Sequence, residues 1–304
     1  MNPSVGSWWP VLASGELGAK PLGLTRFGER LVFWRNNAQV VCMPDRCPHR
    51  GAALSLGEVN NKTASIVCPF HGLEYGADGR CTLIPVEQNF VIPDDFGVAT
   101  YTTHEEDGYI WIWRGPLPVG ALPAVALHPD TLNMRHGDAT GTWGAHYTRC
   151  IENVCDFSHL PFVHKTTIGR FKKGWKTDLE MEDVPGGFRA YLVEDGNRKQ
   201  SLEFLYPNRW LLRLAPRIQL GLVFAPVDHN HTFVYGRTWY NLPLPLPNWL
   251  MNAYTRLSQY LVFREDWPIV ASQIPGDVLS ATDEKLLPSD APVIAYRKLH
   301  RAHN

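Results

Sequence analysis

Apolar residues in the first third of the chain come in short runs. Leu31-Val32-Phe33-Trp34, Gln39-Val40-Val41 and Tyr109-Ile110-Trp111-Ile112-Trp113 alternate with turns built on Gly, Asn and Asp, a pattern that predicts strands rather than helices. Trp8 to about Trp113 therefore reads as a β-rich first domain. Gly115-Pro116-Leu117-Pro118 and Ala121-Leu122-Pro123 then remove backbone donors and interrupt regular structure, which places a boundary between a domain at 1–115 and a second at 116–304. Beyond Lys165 the runs from Phe188, Ser201, Trp210, Ile218 and Thr232 predict an antiparallel sheet. Between Asn248 and Arg264 the spacing of Leu250, Tyr254, Leu257 and Leu261 predicts a long helix whose apolar stripe lies across that sheet. The fold class is α+β: an all-β domain, then a sheet wrapped on a helix, an arrangement that encloses a pocket. Phe204, Phe224, Phe233, Tyr235 and Trp239 offer apolar surface to it, although aromatics at strand spacing more often fill cores.

A chain of 304 residues, 44% hydrophobic and with 11 tryptophans, can fill a sizeable core. A formal charge of −1 and a pI near 6.9 supply no field for nucleic acid or anionic lipid. Met1 to Pro10 has no leader pattern, and Leu242 to Leu246 is cut by Pro243 and Pro245, so a soluble cytoplasmic protein with no membrane contact is expected. Six cysteines do not make a disulfide framework in such a chain. Cys42, Cys81, Cys150 and Cys155 read as reduced and structural.

Chemistry concentrates in Cys47-Pro48-His49-Arg50-Gly51 and Cys68-Pro69-Phe70-His71-Gly72. Structural zinc sites pair cysteines with cysteines and histidines with histidines at short spacing. Here C-x-H followed by C-x-x-H offers them in alternation, which suits a [2Fe–2S] cluster with Cys47 and Cys68 on one iron and His49 and His71 on the other. Two neutral imidazoles in place of two thiolates raise the potential of such a cluster above that of an all-cysteine ferredoxin. The two segments resemble the Rieske motif, in the form without additional loop cysteines that oxygenases carry; Leu73 stands where those proteins more often have tryptophan.

A second constellation, Asn153-x-x-Asp156-x-x-His159-x-x-x-x-His164, puts three residues on one helical face. Pro161 is expected to break the helix and re-aim His164, so that both histidines converge on one metal. Two histidines and a carboxylate leave three positions open on non-haem iron; Asp266, at the expected end of the long helix, is the candidate, with Asp277 and Asp283 as competitors. His104, His128, His136, His146, His229, His231, His300 and His303 read as ordinary core or surface side chains.

The stretch from Asn153 to His164 resembles the mononuclear iron motif of Rieske non-haem iron oxygenase catalytic subunits, and with the cluster motif upstream and Glu265-Asp266 downstream the resemblance covers almost the whole chain. It implies a Rieske domain and a helix-grip catalytic domain, one [2Fe–2S] cluster and one Fe(II) per chain, and usually a homotrimer. It also implies metal ligands His159, His164 and Asp266, catalytic roles for Asp156 and Asn153, and an Asp156 that links His159 to His71 of a neighbouring subunit. The chemistry expected is O₂-dependent hydroxylation or oxidative demethylation of a small aromatic or alicyclic molecule. No G-x-G-x-x-G follows a strand, so NAD(P)H would act only through a partner reductase, with or without a ferredoxin. An electron carrier or an apolar-ligand binding module are the alternatives: the first needs only the cluster site, the second neither.

Overall fold

Pairing of the short apolar runs builds the first part of the chain. The computed structural model describes residues 6–87, 89–125, 134–168, 178–241 and 247–304, and divides into two compact units, Met1–Ala126 and Leu127–Asn304. His128 and the Leu242–Leu246 stretch lie outside the described residues.

In the first unit, strands β1 (Ser7–Ala13), β2 (Leu22–Arg26), β3 (Glu29–Asn36), β4 (Gln39–Pro44), β5 (Glu58–Asn60), β6 (Ser65–Val67), β7 (Glu74–Gly76), β8 (Cys81–Leu83), β9 (Thr103–Glu106) and β10 (Tyr109–Arg114) form three antiparallel sheets, ordered β1-β10-β9, β2-β3-β4 and β5-β6-β7-β8. Val32, Trp34, Met43, Ile66 and Tyr75 pack in one core with Cys47, Cys68 and Leu73. The cysteine-bearing loops are thus anchored in the interior, not draped over the surface.

The second unit contains β11 (Arg135–Trp143), α1 (Tyr147–Cys155), α2 (Leu160–Val163), β12 (Asp178–Val184), β13 (Gly187–Glu194), β14 (Asn197–Leu205), β15 (Arg209–Ala215), β16 (Ile218–Pro226), β17 (Thr232–Tyr240), α3 (Asn248–Ala271) and α4 (Ala291–Ala302). Seven strands make one antiparallel sheet, ordered β11-β17-β16-β15-β14-β13-β12. One face buries Phe188, Leu202, Phe204, Trp210, Leu222, Phe224 and Val234 against Ile151 of α1, Val270 of α3 and Tyr296 of α4. Alternate residues point the other way, where the Arg189 Nε donates to Glu203 at 2.8 Å and Arg237 Nε to Asp138 at 2.6 Å; this two-faced alternation is what an antiparallel sheet packed on one side requires. Of the aromatics expected to offer pocket surface, Phe204, Phe224, Tyr235 and Trp239 are buried.

Two expectations about the long helix are corrected. It does not end near Arg264: α3 runs 24 residues, through Pro268 to Ala271, so Asp266 lies inside the helix. The buried face is also not the Leu250–Tyr254–Leu257–Leu261 stripe, of which Tyr254 is 62% and Leu257 57% exposed. Met251, Thr255, Gln259, Asp266 and Val270 are buried instead. The cause lies in the sheet. A Cβ at Gly137 would sit 2.6 Å from Thr255 Oγ1 and 2.8 Å from the Met251 carbonyl oxygen, and one at Gly236 would overlap Gln259. Glycines let the helix approach so closely that small and polar side chains fill the seam. Gly137 and Gly141 also hide β11 from a search for alternating apolar residues.

A buried charge network fixes α1 against α4. Arg149 donates to Glu152 at 2.9 Å, to Glu284 at 2.6 Å and to the Pro275 carbonyl at 2.7 Å, and Arg297 donates to both Glu152 oxygens and to Glu284. Burial resists charge on Glu284, but the two guanidinium groups hold its carboxyl below the usual range. Among the described residues no helix is long and apolar enough to cross a membrane.

The seam generates a prediction. Gly137→Val should destabilise the second unit by about 1–3 kcal/mol, the usual cost of overpacking, and lower its unfolding temperature in calorimetry. Gly15→Ala, where an added Cβ meets nothing within 4 Å, should not. Equal unfolding temperatures would show that the close approach is unimportant.

Candidate functional site

Two loops in the first unit have the same local design. The Cys47 N–H donates to Ala52 O at 2.8 Å and Gly51 N–H to Cys47 O at 2.8 Å; in the second loop Cys68 N–H donates to Leu73 O at 2.8 Å and Gly72 N–H to Cys68 O at 3.0 Å. Each turn closes on a glycine with φ of +75° or +70°, a conformation in which a Cβ is strained. Buried acids pin the loop bases. Asp45 accepts from the Ser55 N–H and hydroxyl at 2.8 and 2.7 Å, and Glu74 from Asn60, Thr63 and Ser65.

Cys47 and Cys68 are each 1% exposed, and none of the six cysteines forms a disulfide. Burial pushes the Cys68 thiol up, and the neighbouring Cys47 thiol adds to the rise. The His49 and His71 rings lie 4.7 Å apart, and His71 Nδ1 is buried with no hydrogen-bond partner. An unpartnered buried nitrogen beside a second imidazole and two buried thiols fits a group that takes two sulfur and two nitrogen ligands. The Tyr75 hydroxyl lies 3.1 Å from Cys47 Sγ; nothing in a lone tyrosine seven residues after Cys68 singles it out.

In the second unit, α1 ends where the Asp156 N–H bonds to the Glu152 and Asn153 carbonyls. Asp156 itself is extended (φ −89°, ψ 123°), and its Oδ1 accepts from the Ser158 N–H and hydroxyl, both at 2.6 Å. This side-chain turn competes with the helix and stops it. The break thus falls at Asp156, not at Pro161, which sits in the first turn of α2, where its missing N–H costs nothing. The turn frees Asp156 Oδ2 to lie 3.3 Å from His159 Nδ1.

His159 Nε2 and His164 Nε2 are 3.3 Å apart, and Asp266 Oδ1 lies 3.5 Å from the first and 3.1 Å from the second. His164 and Asp266 are buried and His159 nearly so. Asp266 Oδ1 has no hydrogen-bond partner. Adjacent ligands of an octahedral ion at about 2.1 Å are roughly 3 Å apart, so the three atoms are spaced as one face of such a site and fit a divalent iron. Burial opposes charge on His159, yet Asp156 and Asp266 hold its pKa up at about 9. Burial likewise disfavours an ionised Asp266, but the two imidazoles keep its carboxyl below the usual range.

Glu265, one residue before Asp266, was not singled out by its sequence. Its carboxylate accepts from the Thr166 and Thr167 hydroxyls and lies 2.9 Å from His164 Nδ1. Each histidine therefore has an acid behind its Nδ1 and presents Nε2 to the shared space, an arrangement that fixes tautomer and ring orientation in metal sites. The Glu-Asp doublet was the available signal: adjacent helical positions differ by about 100°, so one can face the shared space and the other can stand behind it.

Asn153 is half-buried on α1 and is not in this convergent set. Asp277 caps the short helical turn that follows it, accepting from the Leu279 N–H at 3.0 Å, and Asp283 is exposed. Of the other histidines, His146 is buried beside Thr148 Oγ1 at 2.8 Å, and burial pushes its pKa down to about 4; His300 is buried and stacks on Tyr296.

Residues 7–102 match the Rieske [2Fe-2S] domain, and residues 143–303 match the vanillate O-demethylase oxygenase C-terminal domain. The chain is 29% identical over 312 residues to methylxanthine N1-demethylase NdmA of Pseudomonas putida, an alignment covering 96% of this chain and 86% of the relative. It is 32% identical over 168 residues to the vanillate O-demethylase oxygenase subunit of Pseudomonas sp. strain HR199, covering 54% and 46%. The solved structure of Pseudomonas putida NdmA with caffeine superposes with a TM-score of 0.80 at 27% identity, covering 97% and 89% of the two chains. The chain spans about half the length of the vanillate and aminopyrrolnitrin relatives and a quarter of a chlorophyllide a oxygenase.

The arrangement behind His164 is testable. Glu265→Gln should lower affinity for divalent iron about 10–100-fold, the usual cost of losing an orienting partner, as measured by competition with a chelator. The visible spectrum of the first unit should not change. Asp266→Ala should abolish binding at this site and Asp277→Ala should spare it; the reverse pattern would move the carboxylate assignment to Asp277.

Proposed function

The chain belongs to the Rieske oxygenases, with a catalytic domain of the vanillate O-demethylase type, and on that premise we propose that it hydroxylates or oxidatively demethylates a small aromatic or alicyclic molecule with O₂. The observation that carries this reading is the convergence of His159 Nε2, His164 Nε2 and Asp266 Oδ1 within 3.1–3.5 Å of one another in a chain that also pairs two buried thiols with two imidazoles.

In this reading residues 1–115 hold a [2Fe–2S] cluster through Cys47, His49, Cys68 and His71, and residues 116–304 hold an Fe(II) through His159, His164 and Asp266. When bound, the cluster supplies single electrons and the ferrous ion supplies the site at which O₂ is activated. Glu265 keeps a proton on the Nδ1 of His164, and the Asp156 carboxylate, 3.3 Å from the Nδ1 of His159, favours a proton there too, so that each Nε2 offers its lone pair inward. Ile151, Cys155 and Phe157, all buried, wall the C-terminal end of α1 with apolar surface. The carboxylate of Asp266, buried and without a hydrogen-bond partner on Oδ1, is kept for a cation.

The finer expectations come from the resemblance of the two motifs to those of Rieske oxygenase catalytic subunits. A reductase, directly or through a ferredoxin, delivers electrons that originate in NAD(P)H. Three copies assemble into a ring in which Asp156 stands at a subunit junction, and the protein works in the cytoplasm. Methylxanthine and vanillate demethylation by the named relatives favour a methoxy- or N-methyl-bearing aromatic ring as substrate.

Purified protein loaded with iron and sulfide should hold about three irons and about two acid-labile sulfides per chain. With a surrogate reductase, NADH and O₂ it should release formaldehyde from one or more methoxy- or N-methyl-aromatics in step with the demethylated product. Reduction and re-oxidation of the cluster with every substrate left intact would point to an electron carrier and refute the oxygenase reading.

A further inference from the structure

On the flank of α3 turned towards the sheet edge lies a cavity of 280 Å³. One wall is Ala139 to Thr142 of β11, the edge strand of the seven-stranded sheet, and the other is α3 through Arg256, Gln259, Tyr260, Phe263, Arg264 and Trp267. Neither His159, His164 nor Asp266 lines it.

Three features of this cleft are unusual for a plain surface groove. Gln259 is 5% exposed, yet neither atom of its amide has a hydrogen-bond partner, an arrangement that ordinarily costs a folded protein stability. Arg256 and Arg264 are exposed and, among the described residues, neither makes an ion pair or hydrogen bond, whereas Arg149, Arg189, Arg237 and Arg297 of the same unit are all paired with carboxylates. Tyr260 and Trp267 leave 60% and 50% of their surface open beside them. Spacings of four and three residues along α3 put Arg256, Tyr260, Arg264 and Trp267 on one stripe.

We propose that this cleft binds a planar aromatic carboxylate. The guanidinium groups take the carboxylate through charge-assisted hydrogen bonds, Tyr260, Phe263 and Trp267 take the ring by stacking and edge contacts, and the Gln259 amide takes a polar ring substituent at the floor. Guanidinium and aromatic groups on one stripe suit such a ligand better than an inorganic anion, which leaves the rings unused, or a neutral arene, which leaves the charges unused. The cavity has room for a single ring that carries a carboxylate. The site stands independently of the oxygenase reading, because it uses none of the residues assigned to iron.

The test is calorimetric titration of the purified protein with benzoate, benzyl alcohol and 4-hydroxybenzoate at low salt. Benzoate should bind saturably and benzyl alcohol at least tenfold more weakly. Arg256→Gln and Arg264→Gln should each weaken benzoate about fivefold or more, with unchanged unfolding temperatures, and Gln259→Leu should remove any preference for 4-hydroxybenzoate over benzoate. Asp266→Asn should leave the benzoate Kd within about twofold. Equal binding of benzoate and benzyl alcohol, or arginine variants that bind as the parent does, would overturn the proposal. So would loss of benzoate binding in Asp266→Asn, which would place the ligand at the iron site instead.

Discussion

Two imidazole nitrogens and a carboxylate oxygen, pressed within 3.1–3.5 Å of one another in the interior, set the terms for the second unit. Desolvation disfavours the charge on Asp266, and its Oδ1 has no hydrogen-bond donor to offset that cost. Burial opposes charge on the imidazoles as well, and Asp156 and Asp266 outweigh it in holding the pKa of His159 up at about 9. A divalent ion held there would supply positive charge at one point, with both rings ligating in the neutral state.

The surrounding structure holds those three atoms in register. Asp156 ends α1 and in the same stroke stands behind His159; Glu265 stands behind His164. The Arg149–Glu152–Glu284–Arg297 network fixes the helix that leads into Asp156, and the glycine seam lets α3 lie close to the sheet with Asp266 on its buried side. In the first unit the problem is local. Two hairpin-like loops each present a cysteine and a histidine, and the same pair of backbone hydrogen bonds with a positive-φ glycine shapes both.

Legibility from sequence follows that difference in range. Cys47 to Gly51 and Cys68 to Gly72 could be read directly because each loop's geometry is written in consecutive residues. The strands from β13 to β17 were legible because their apolar residues alternate over a one-sided core. The buried face of α3 was not: hydrophobic periodicity assumes that the apolar side faces inward, and here glycines on β11 and β17 draw a polar row of Thr255 and Gln259 into the seam. The end of α1 is hidden for a similar reason: proline is the expected helix breaker, and the Asp156 side chain plays that role instead. Which aspartate joins His159 and His164 was open between Asp266, Asp277 and Asp283 from residue types alone. Tertiary packing decides such questions, as it does the pairing of Glu265 with His164.

The chemistry of the second unit turns on whether iron sits where those three side chains converge. Diffraction from crystals of the iron-loaded protein, collected on both sides of the iron absorption edge, tests this most directly. An anomalous peak about 2.1 Å from His159 Nε2, His164 Nε2 and Asp266 Oδ1, separate from a second peak between the Cys47 and Cys68 loops, is the result predicted. A peak at the loops alone, with His159 and His164 turned away from Asp266, would contradict it.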